Sequence, residues 1–263
     1  MEIFPVKNPI IGMIHLLPLP GAPRYRDIQE VMHQAQKDYA ALCEGGVDGI
    51  LIENFGDNPF FKDAVELQTV TWMTTIVLSL KIDIPFGVNV LRNDCKAALA
   101  IAHATGGQFV RCNILTGAMV CDQGIIEGKA SDILRYRKVL DADISILADI
   151  QVKHASPLIN QPVEIVAQDT VSRGLADALV VTGSQTGEQP SLKELAAVKK
   201  RVPNTFLFAG SGVNARNVEF ILEYADGCIV GESFKNEGII ENPVDVKRVR
   251  EFMKKVEGLR ETV

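Results

Sequence analysis

Short apolar runs alternate with longer amphipathic stretches along the whole chain. Most of the runs are continuously apolar, which is typical of parallel strands buried on both faces. The longer stretches space their apolar residues by three and four positions, as helices that bury one face do. The predicted strands are residues 10–15, 47–53, 86–91, 108–113, 144–150, 178–182, 205–209 and 227–231. The first predicted helix has its apolar positions from Ile28 to Leu42 and is stopped by Gly45-Gly46. The next three are residues 64–80, 93–105 and 131–140, and four more are opened at Pro162, Ser191, Asn214 and Asn242-Pro243.

This alternation predicts an α/β fold, a single (β/α)8 TIM barrel covering residues 1–263. A doubly wound open sheet uses the same alternation and is the rival interpretation. It usually has fewer strands, and no linker or shift in composition divides this chain. We therefore predict the barrel, as one domain.

The composition argues against some classes of partner but does not identify the function. The chain has 263 residues, 47% hydrophobic and 23% charged, with 27 basic and 33 acidic side chains for a net charge of −6. No Lys/Arg-rich block occurs, so nucleic acid is not an expected partner. An anionic ligand would need a local site of backbone amides and a few cations.

The cysteines and the apolar segments indicate a protein of the cytoplasm. Five cysteines are widely spaced without a CxxC pair, which argues against a disulfide framework and a zinc site and predicts buried thiols. No signal-peptide pattern is present. Residues 8–23 are interrupted by prolines, and residues 67–80 are too short to span a bilayer, so no integral membrane segment is expected.

Polar side chains follow the apolar bodies of six consecutive predicted strands, where the active sites of such barrels lie. Arg111 and Asn113 are two residues apart, as are Asp149, Gln151 and Lys153, so each set is expected on one face of its strand. The whole set is His15, Glu53, Asn54, Asn89, Arg92, Asn93, Asp94, Arg111, Asn113, Asp149, Gln151, Lys153, His154, Thr182, Gly183 and Ser184.

The residue types suggest roles. Glu53 and Asp149 suit proton transfer or the binding of a divalent cation such as Mg²⁺, and His15 suits proton transfer near neutral pH. Lys153 suits an electrostatic clamp or, if desolvated, a Schiff-base nucleophile. We predict these four as catalytic.

Five of the other polar positions are predicted to bind substrate. Arg111 suits bidentate binding of a carboxylate or phosphate. The predicted substrate-binding residues are Asn89, Arg111, Asn113, Gln151 and His154. The alternative is that these groups pair with one another as buried ion pairs. Such pairs have little stabilising advantage over apolar packing, so several at one rim favour a site.

Gly-rich turns follow the last two predicted strands, at the positions where many barrels bind phosphate. Small residues let backbone N–H groups approach an anion. The predicted phosphate-binding residues in these two turns are Gly210, Ser211, Gly212, Gly231, Glu232 and Ser233, and the end of the sixth predicted strand adds Gly183 and Ser184. Two tight turns without a ligand are the alternative. No nicotinamide, flavin or zinc signature occurs, and the metal stays unknown.

Two long segments at the same rim are predicted loops. Residues 16–25 are apolar and Pro-rich, and residues 115–129 contain three glycines. Each is expected to act as a lid over the mouth of the barrel. The first alternatively forms an exposed patch that binds a partner.

The segment Ile11-Gly12-Met13-Ile14-His15-Leu16-Leu17-Pro18 resembles the signature of the BtpA family, which includes SgcQ-type proteins. The resemblance covers nearly the whole chain, through residues 49–57, 87–94, 109–113, 148–155 and 210–214. It implies a ribulose-phosphate-binding type of TIM barrel. Some members are associated with photosystem I biogenesis, and others with sugar-phosphotransferase genes or a nucleoside-triphosphatase label. No catalytic assignment carries over.

Two classes of function follow. In the first, the protein is an enzyme that acts on a small phosphorylated metabolite, a sugar phosphate or nucleotide, by acid/base chemistry at the barrel mouth. In the second, it is a non-catalytic assembly or stability factor. Nucleotide triphosphate hydrolysis ranks third, because no GxxxxGK[ST] motif is present. A small phosphorylated molecule is the expected partner, and a homo-oligomer is compatible with the fold.

Overall fold

Eight parallel strands alternate with helices and close into a barrel in the computed structural model, which describes residues 3–183 and 189–261. The strands in chain order are β1 (Ile10–His15), β2 (Gly49–Glu53), β3 (Phe86–Asn89), β4 (Phe109–Cys112), β5 (Ala118–Cys121), β6 (Gly124–Glu127), β7 (Ser145–Gln151), β8 (Ala155–Pro157), β9 (Ala178–Val181), β10 (Phe206–Ala209) and β11 (Gly227–Val230). The barrel runs β1-β2-β3-β4-β7-β9-β10-β11, and β11 pairs with β1 to close it. The predicted barrel is therefore confirmed, and the open sheet is excluded.

The helices pack around the barrel as the apolar periodicity predicts. They are α1 (Ile28–Gly45), α2 (Leu67–Leu80), α3 (Cys95–Thr105), α4 (Ala130–Val139), α5 (Val163–Ser172), α6 (Leu192–Arg201), α7 (Val218–Leu222) and α8 (Val246–Glu261). Gly46 ends α1 in the left-handed region, with φ of 87°. The helix predicted after Asn214 begins only at Val218, because Asn214 and Asn217 first form a turn of side-chain to backbone hydrogen bonds.

The barrel interior is apolar at its N-terminal end and polar at its C-terminal end. Phe4 closes the bottom, where its ring centroid lies 5.9 Å from that of Phe109 and 6.3 Å from that of Phe208. Leu51 and Leu147 are buried in the same cluster. Ligand access is consequently from the C-terminal mouth.

One predicted loop is a small sheet. Residues 115–129 form the hairpin β5–β6, and β8 pairs antiparallel with β5. Met119 and Ile126 pack on Ile114 and Val152, which explains why this segment is ordered into strands. The loop prediction for this segment is wrong, because the hairpin register was not evident from its glycines.

The first rim loop is also folded onto the protein. Leu16 and Leu19 belong to the buried core, and Leu17 packs against it. The Leu19 N–H donates to Asp57 Oδ1 at 2.8 Å, which fixes the loop against the segment after β2. Its leucines therefore contribute to packing rather than to an exposed patch.

A disulfide joins Cys95 and Cys112, so the prediction of five free thiols is wrong for this pair. The two residues are 17 apart in sequence, and the packing of α3 against β4 brings their Cα atoms to 5.6 Å, within the range for a disulfide. Cys43, Cys121 and Cys228 are free.

None of the helices in residues 3–183 and 189–261 combines the length and apolar character needed to cross a membrane.

Candidate functional site

Arg111 and Asp149 form a buried, bidentate ion pair at the C-terminal mouth. Arg111 Nε and Nη2 each donate to one Asp149 carboxylate oxygen at 2.9 Å. Asn113 Nδ2 donates to Asp149 Oδ2 at 3.2 Å, so Arg111 and Asn113 share a face as predicted. Burial by itself would lower the pKa of Arg111, but the charge and hydrogen bonds of Asp149, with the charge of Glu53, raise it. Arg111 is thus a fixed cation.

The geometry of β7 departs from simple alternation. The pairing of β7 with β9 shifts register between Asp149 and Gln151, a bulge of the kind that redirects side chains next to active sites. The shift interrupts simple alternation between Asp149 and Gln151, so the expectation that Asp149, Gln151 and Lys153 share one face stays a prediction. The side chain of Gln151 lies outside the described residues, as does Ser184.

Glu53, Asn89 and His15 form a second buried cluster beside the first. Asn89 Nδ2 donates to Glu53 Oε2 at 2.5 Å, and His15 Nε2 lies 3.9 Å from Glu53 Oε1. Burial, followed by the charges of Lys235, Lys153 and Arg111, lowers the pKa of His15 well below its ordinary value. His15 is therefore neutral at physiological pH, and one ring nitrogen is free to accept a proton.

Lys153 lies just beyond β7, partly buried, and its backbone carbonyl accepts a 2.7 Å hydrogen bond from Arg92 Nη2. Burial lowers the pKa of Lys153; the charges of Glu53 and Asp149 oppose this effect, while those of Arg111 and Arg92 add to it. A lowered pKa increases the fraction of free amine, the form that attacks carbonyls.

A cavity of about 440 Å³ opens at the barrel mouth and joins the strand ends to the loops after β10 and β11. His15, Arg111 and Lys153 line it from the barrel centre. Glu53 and Asp149 do not line it, but each contacts a residue that does. The predicted catalytic set is thus divided into two residues that face the cavity and two that lie behind them.

The predicted phosphate loops line the same cavity. The lining includes Gly210, Ser211, Gly212, Gly231, Glu232 and Ser233. Gly183 N–H donates to Ser211 Oγ at 2.8 Å, which ties the loop after β9 to the loop after β10. The N–H groups of Gly212 and Val213 have no acceptor within the described ranges, so they are available to an anion.

Close packing explains the glycine after β11. A Cβ atom on Gly231 would lie 2.8 Å from His15 Cε1, so a larger residue would displace the imidazole. Glu232 Oε2 is buried without a hydrogen-bond partner in the part of the chain that is described. A carboxylate would repel a phosphate, so Glu232 fits the phosphate prediction only through its backbone and offers its side chain to a hydroxyl or amine donor.

Sequence reasoning missed several residues of the site. Arg216 and Arg248 line the cavity near the two loops, and Arg248 Nε donates to the Ser233 carbonyl at 2.8 Å. Lys235 is buried and pairs with Asp38 at 2.8 Å, 197 residues away in sequence. Because the two residues are so far apart in the sequence, no local sequence pattern indicates that they pair. His154, predicted to bind substrate, is exposed and is not part of the cavity wall.

Within the described part of the chain, Glu53 and Asp149 do not belong to a three-ligand metal cluster. No group of three His, Cys, Asp or Glu side chains within residues 3–183 and 189–261 is arranged to hold an ion. Asp149 already accepts from Arg111 and Asn113, and Glu53 from Asn89. These hydrogen bonds occupy both carboxylate oxygens of Asp149 and one of the two of Glu53.

The fold and mouth define a (β/α)8 barrel with a polar cavity, and comparisons place this chain among related proteins. It belongs to the BtpA family, whose model matches residues 6–258. The chain is 43% identical to the photosystem I biogenesis protein BtpA of Synechocystis, over 98% of this chain and 92% of the relative. It is 36% identical to the putative sgc region protein SgcQ of Escherichia coli, over 98% of each chain.

Solved structures share the fold at low identity. N-(5'-phosphoribosyl)anthranilate isomerase from Pyrococcus furiosus aligns with a TM-score of 0.57 at 14% identity, over 95% of this chain and 99% of that one. Tryptophan synthase of Mycobacterium tuberculosis aligns with a TM-score of 0.59 at 18% identity, over 97% and 93%. These likenesses confirm the barrel.

Proposed function

We propose that the protein is an enzyme that acts on a small phosphorylated metabolite. The proposal rests on one observation: the same cavity, of about 440 Å³, is lined by His15, Arg111 and Lys153 and by the two Gly-rich loops. Reactive groups and an anion-binding surface on one wall are what such a substrate requires.

The loop end of the cavity is suited to the phosphate group. The amides of Gly212 and Val213, the hydroxyl of Ser211 and the cations of Arg216 and Arg248 converge there. Barrel enzymes often bind phosphate after the seventh and eighth barrel strands, here β10 and β11. The phosphoribosyl substrate in the name of the isomerase from Pyrococcus furiosus supports this assignment at the level of the fold.

The barrel end of the cavity is suited to acid/base chemistry. Neutral His15 accepts a proton, with Glu53 beside it, and Lys153 acts as a clamp on developing negative charge or as an amine nucleophile. Asp149 holds Arg111 in place through two hydrogen bonds. These roles suit a lyase, isomerase or hydrolase.

A binding measurement tests the proposal. Ribose 5-phosphate and inorganic phosphate are titrated into the protein by calorimetry, and the Ser211→Asp variant is compared with Ser172→Asp, an exposed site on α5 outside the cavity wall. Charge repulsion is expected to reduce phosphate affinity at least a hundredfold in Ser211→Asp and not in Ser172→Asp. Equal affinity in both variants would remove the phosphate site.

A panel of phosphorylated metabolites extends the same test. A ligand at about 100 times its dissociation constant adds about 2.7 kcal/mol of stability, which raises the melting temperature measurably. Failure of a broad panel to stabilise the protein would contradict the enzyme proposal.

A non-catalytic assembly factor is the second candidate, favoured by the name of the relative from Synechocystis. The apolar loop suggested as its partner surface has Leu16 and Leu19 in the core, which weakens that role. Complementation of a Synechocystis strain that lacks its BtpA protein distinguishes an enzyme from an assembly factor. Rescue by this chain but not by its Lys153→Met variant favours catalysis, and equal rescue favours assembly. Nucleoside triphosphate hydrolysis ranks third and is tested by phosphate release from ATP.

A further inference from the structure

A second cavity, of about 280 Å³, adjoins the first. It lies between the loop after β1, helix α1 and the segment after β11. His15 and Ile240 belong to the walls of both cavities. The two cavities therefore meet at these two side chains.

The walls of the second cavity combine apolar and hydrogen-bonding surfaces. The apolar side chains are Leu16, Leu17, Pro18, Val31, Phe55 and Ile240. The amide side chains Gln34, Asn58 and Asn242 lie on the same wall. The amide nitrogens of Gln34 and Asn242 already donate within the protein, so their oxygens are the atoms offered to a ligand, and Asn58 is bonded through both of its polar atoms. A flat ring with apolar faces and polar edges matches such a surface.

The charges of the two cavities differ. The first has four basic side chains (Arg111, Lys153, Arg216, Arg248) and two acidic ones (Glu232, Glu251). The second has three basic side chains (Arg24, Arg26, Lys235) and four acidic ones (Asp27, Glu30, Asp38, Glu241). Its buried cation, Lys235, is neutralised by Asp38 at 2.8 Å. The second cavity is consequently suited to an uncharged group rather than a second phosphate.

His15 lies where the two cavities meet, and the Nδ1 atom of its ring makes no hydrogen bond to the described residues. Its side chain is buried, and its ring centroid lies 4.8 Å from that of Phe55. A buried polar atom without a partner costs free energy unless a ligand satisfies it. The junction is therefore suited to a ligand hydroxyl group, such as that of a sugar, that hydrogen-bonds to Nδ1.

We infer that the second cavity is a subsite for an uncharged heteroaromatic ring attached to the phosphorylated sugar, so that the ligand is a nucleotide rather than a simple sugar phosphate. The inference rests on the proposed function, because the phosphate is assigned to the loops of the first cavity. The sugar then lies next to His15.

Calorimetric titration tests the ring subsite separately from the phosphate site. The probes are ribose 5-phosphate, AMP, GMP, CMP and UMP. In Glu30→Trp, an indole replaces an exposed wall residue of the second cavity without entering the core. Gln36→Trp is the matched control, since Gln36 is exposed on the same helix and belongs to neither wall.

At least one nucleoside monophosphate is expected to bind tenfold or more tightly than ribose 5-phosphate. Glu30→Trp should remove that preference and leave ribose 5-phosphate affinity within twofold, and Gln36→Trp should change neither. A nucleotide that binds no more tightly than ribose 5-phosphate, or a preference that survives Glu30→Trp, overturns the subsite and leaves the proposed function standing. Failure of all five probes to bind overturns both.

Discussion

Replacement of Asp149 by leucine is expected to destabilise the protein strongly, because it leaves the Arg111 guanidinium buried without its partner. Both side chains are almost completely inaccessible, and two 2.9 Å hydrogen bonds join them. Removing one member of a buried ion pair costs about 3–5 kcal/mol, since the remaining charge is uncompensated. Asn113 also loses its acceptor, which adds about 1 kcal/mol.

The size of the effect on melting follows from chain length. For 263 residues, an unfolding entropy of about 2.1 cal/mol/K per residue gives roughly 0.55 kcal/mol/K. The combined loss of about 4–6 kcal/mol therefore lowers the melting temperature by roughly 7–11 °C. Calorimetric melting and urea unfolding of the same variant measure both quantities.

Two further variants test whether the unpaired charge of Arg111 causes the loss of stability. Arg111→Met/Asp149→Leu removes both charges together and should recover most of the loss, because no unpaired charge remains. Glu44→Leu breaks an exposed pair with Arg250 and should cost less than about 1 kcal/mol. The reasoning is refuted if Asp149→Leu costs under about 1 kcal/mol, or if the double variant is as unstable as the single one.

Three other predictions concern the amine, the imidazole and the disulfide. Lys153→Met should abolish the covalent adduct that borohydride traps with ribose 5-phosphate; no adduct at Lys153 in the native protein would reject the Schiff-base role. The pKa of His15 is lower in the folded protein than in the unfolded chain, so stability should fall as the pH drops below about 6.5, by up to about 1.4 kcal/mol per pH unit. His15→Gln should flatten this dependence in urea unfolding between pH 7.5 and 5.5, and identical slopes would contradict the assignment. Alkylation of the denatured, unreduced protein should label three cysteines and spare Cys95 and Cys112, and five labels would exclude the disulfide. Reduction should cost about 3 kcal/mol, as expected for a loop closed over 17 residues.

The sequence by itself was sufficient for the barrel and for the location of its mouth. The strand Ile10–His15 is predicted to the residue, and the other barrel strands to within two residues at each end. Apolar runs and helical periodicity are local properties, so they can be recognised in the sequence before the fold is known. The polar ends of the strands and the Gly-rich turns after β10 and β11 are local in the same sense. Their convergence on one cavity follows once the strands are known to be parallel and closed into a barrel.

Only the tertiary structure decided which polar groups face the cavity and which support it. His15 and Lys153 line the wall, whereas Asp149 is occupied by Arg111, and no spacing along the chain distinguishes the two cases. The buried Lys235–Asp38 pair joins residues 197 apart. The Cys95–Cys112 bridge and the β5–β6 hairpin likewise depend on how elements pack. These features arise from distances between segments that are remote in sequence, and such distances are set by the closure of the barrel rather than by local residue preference.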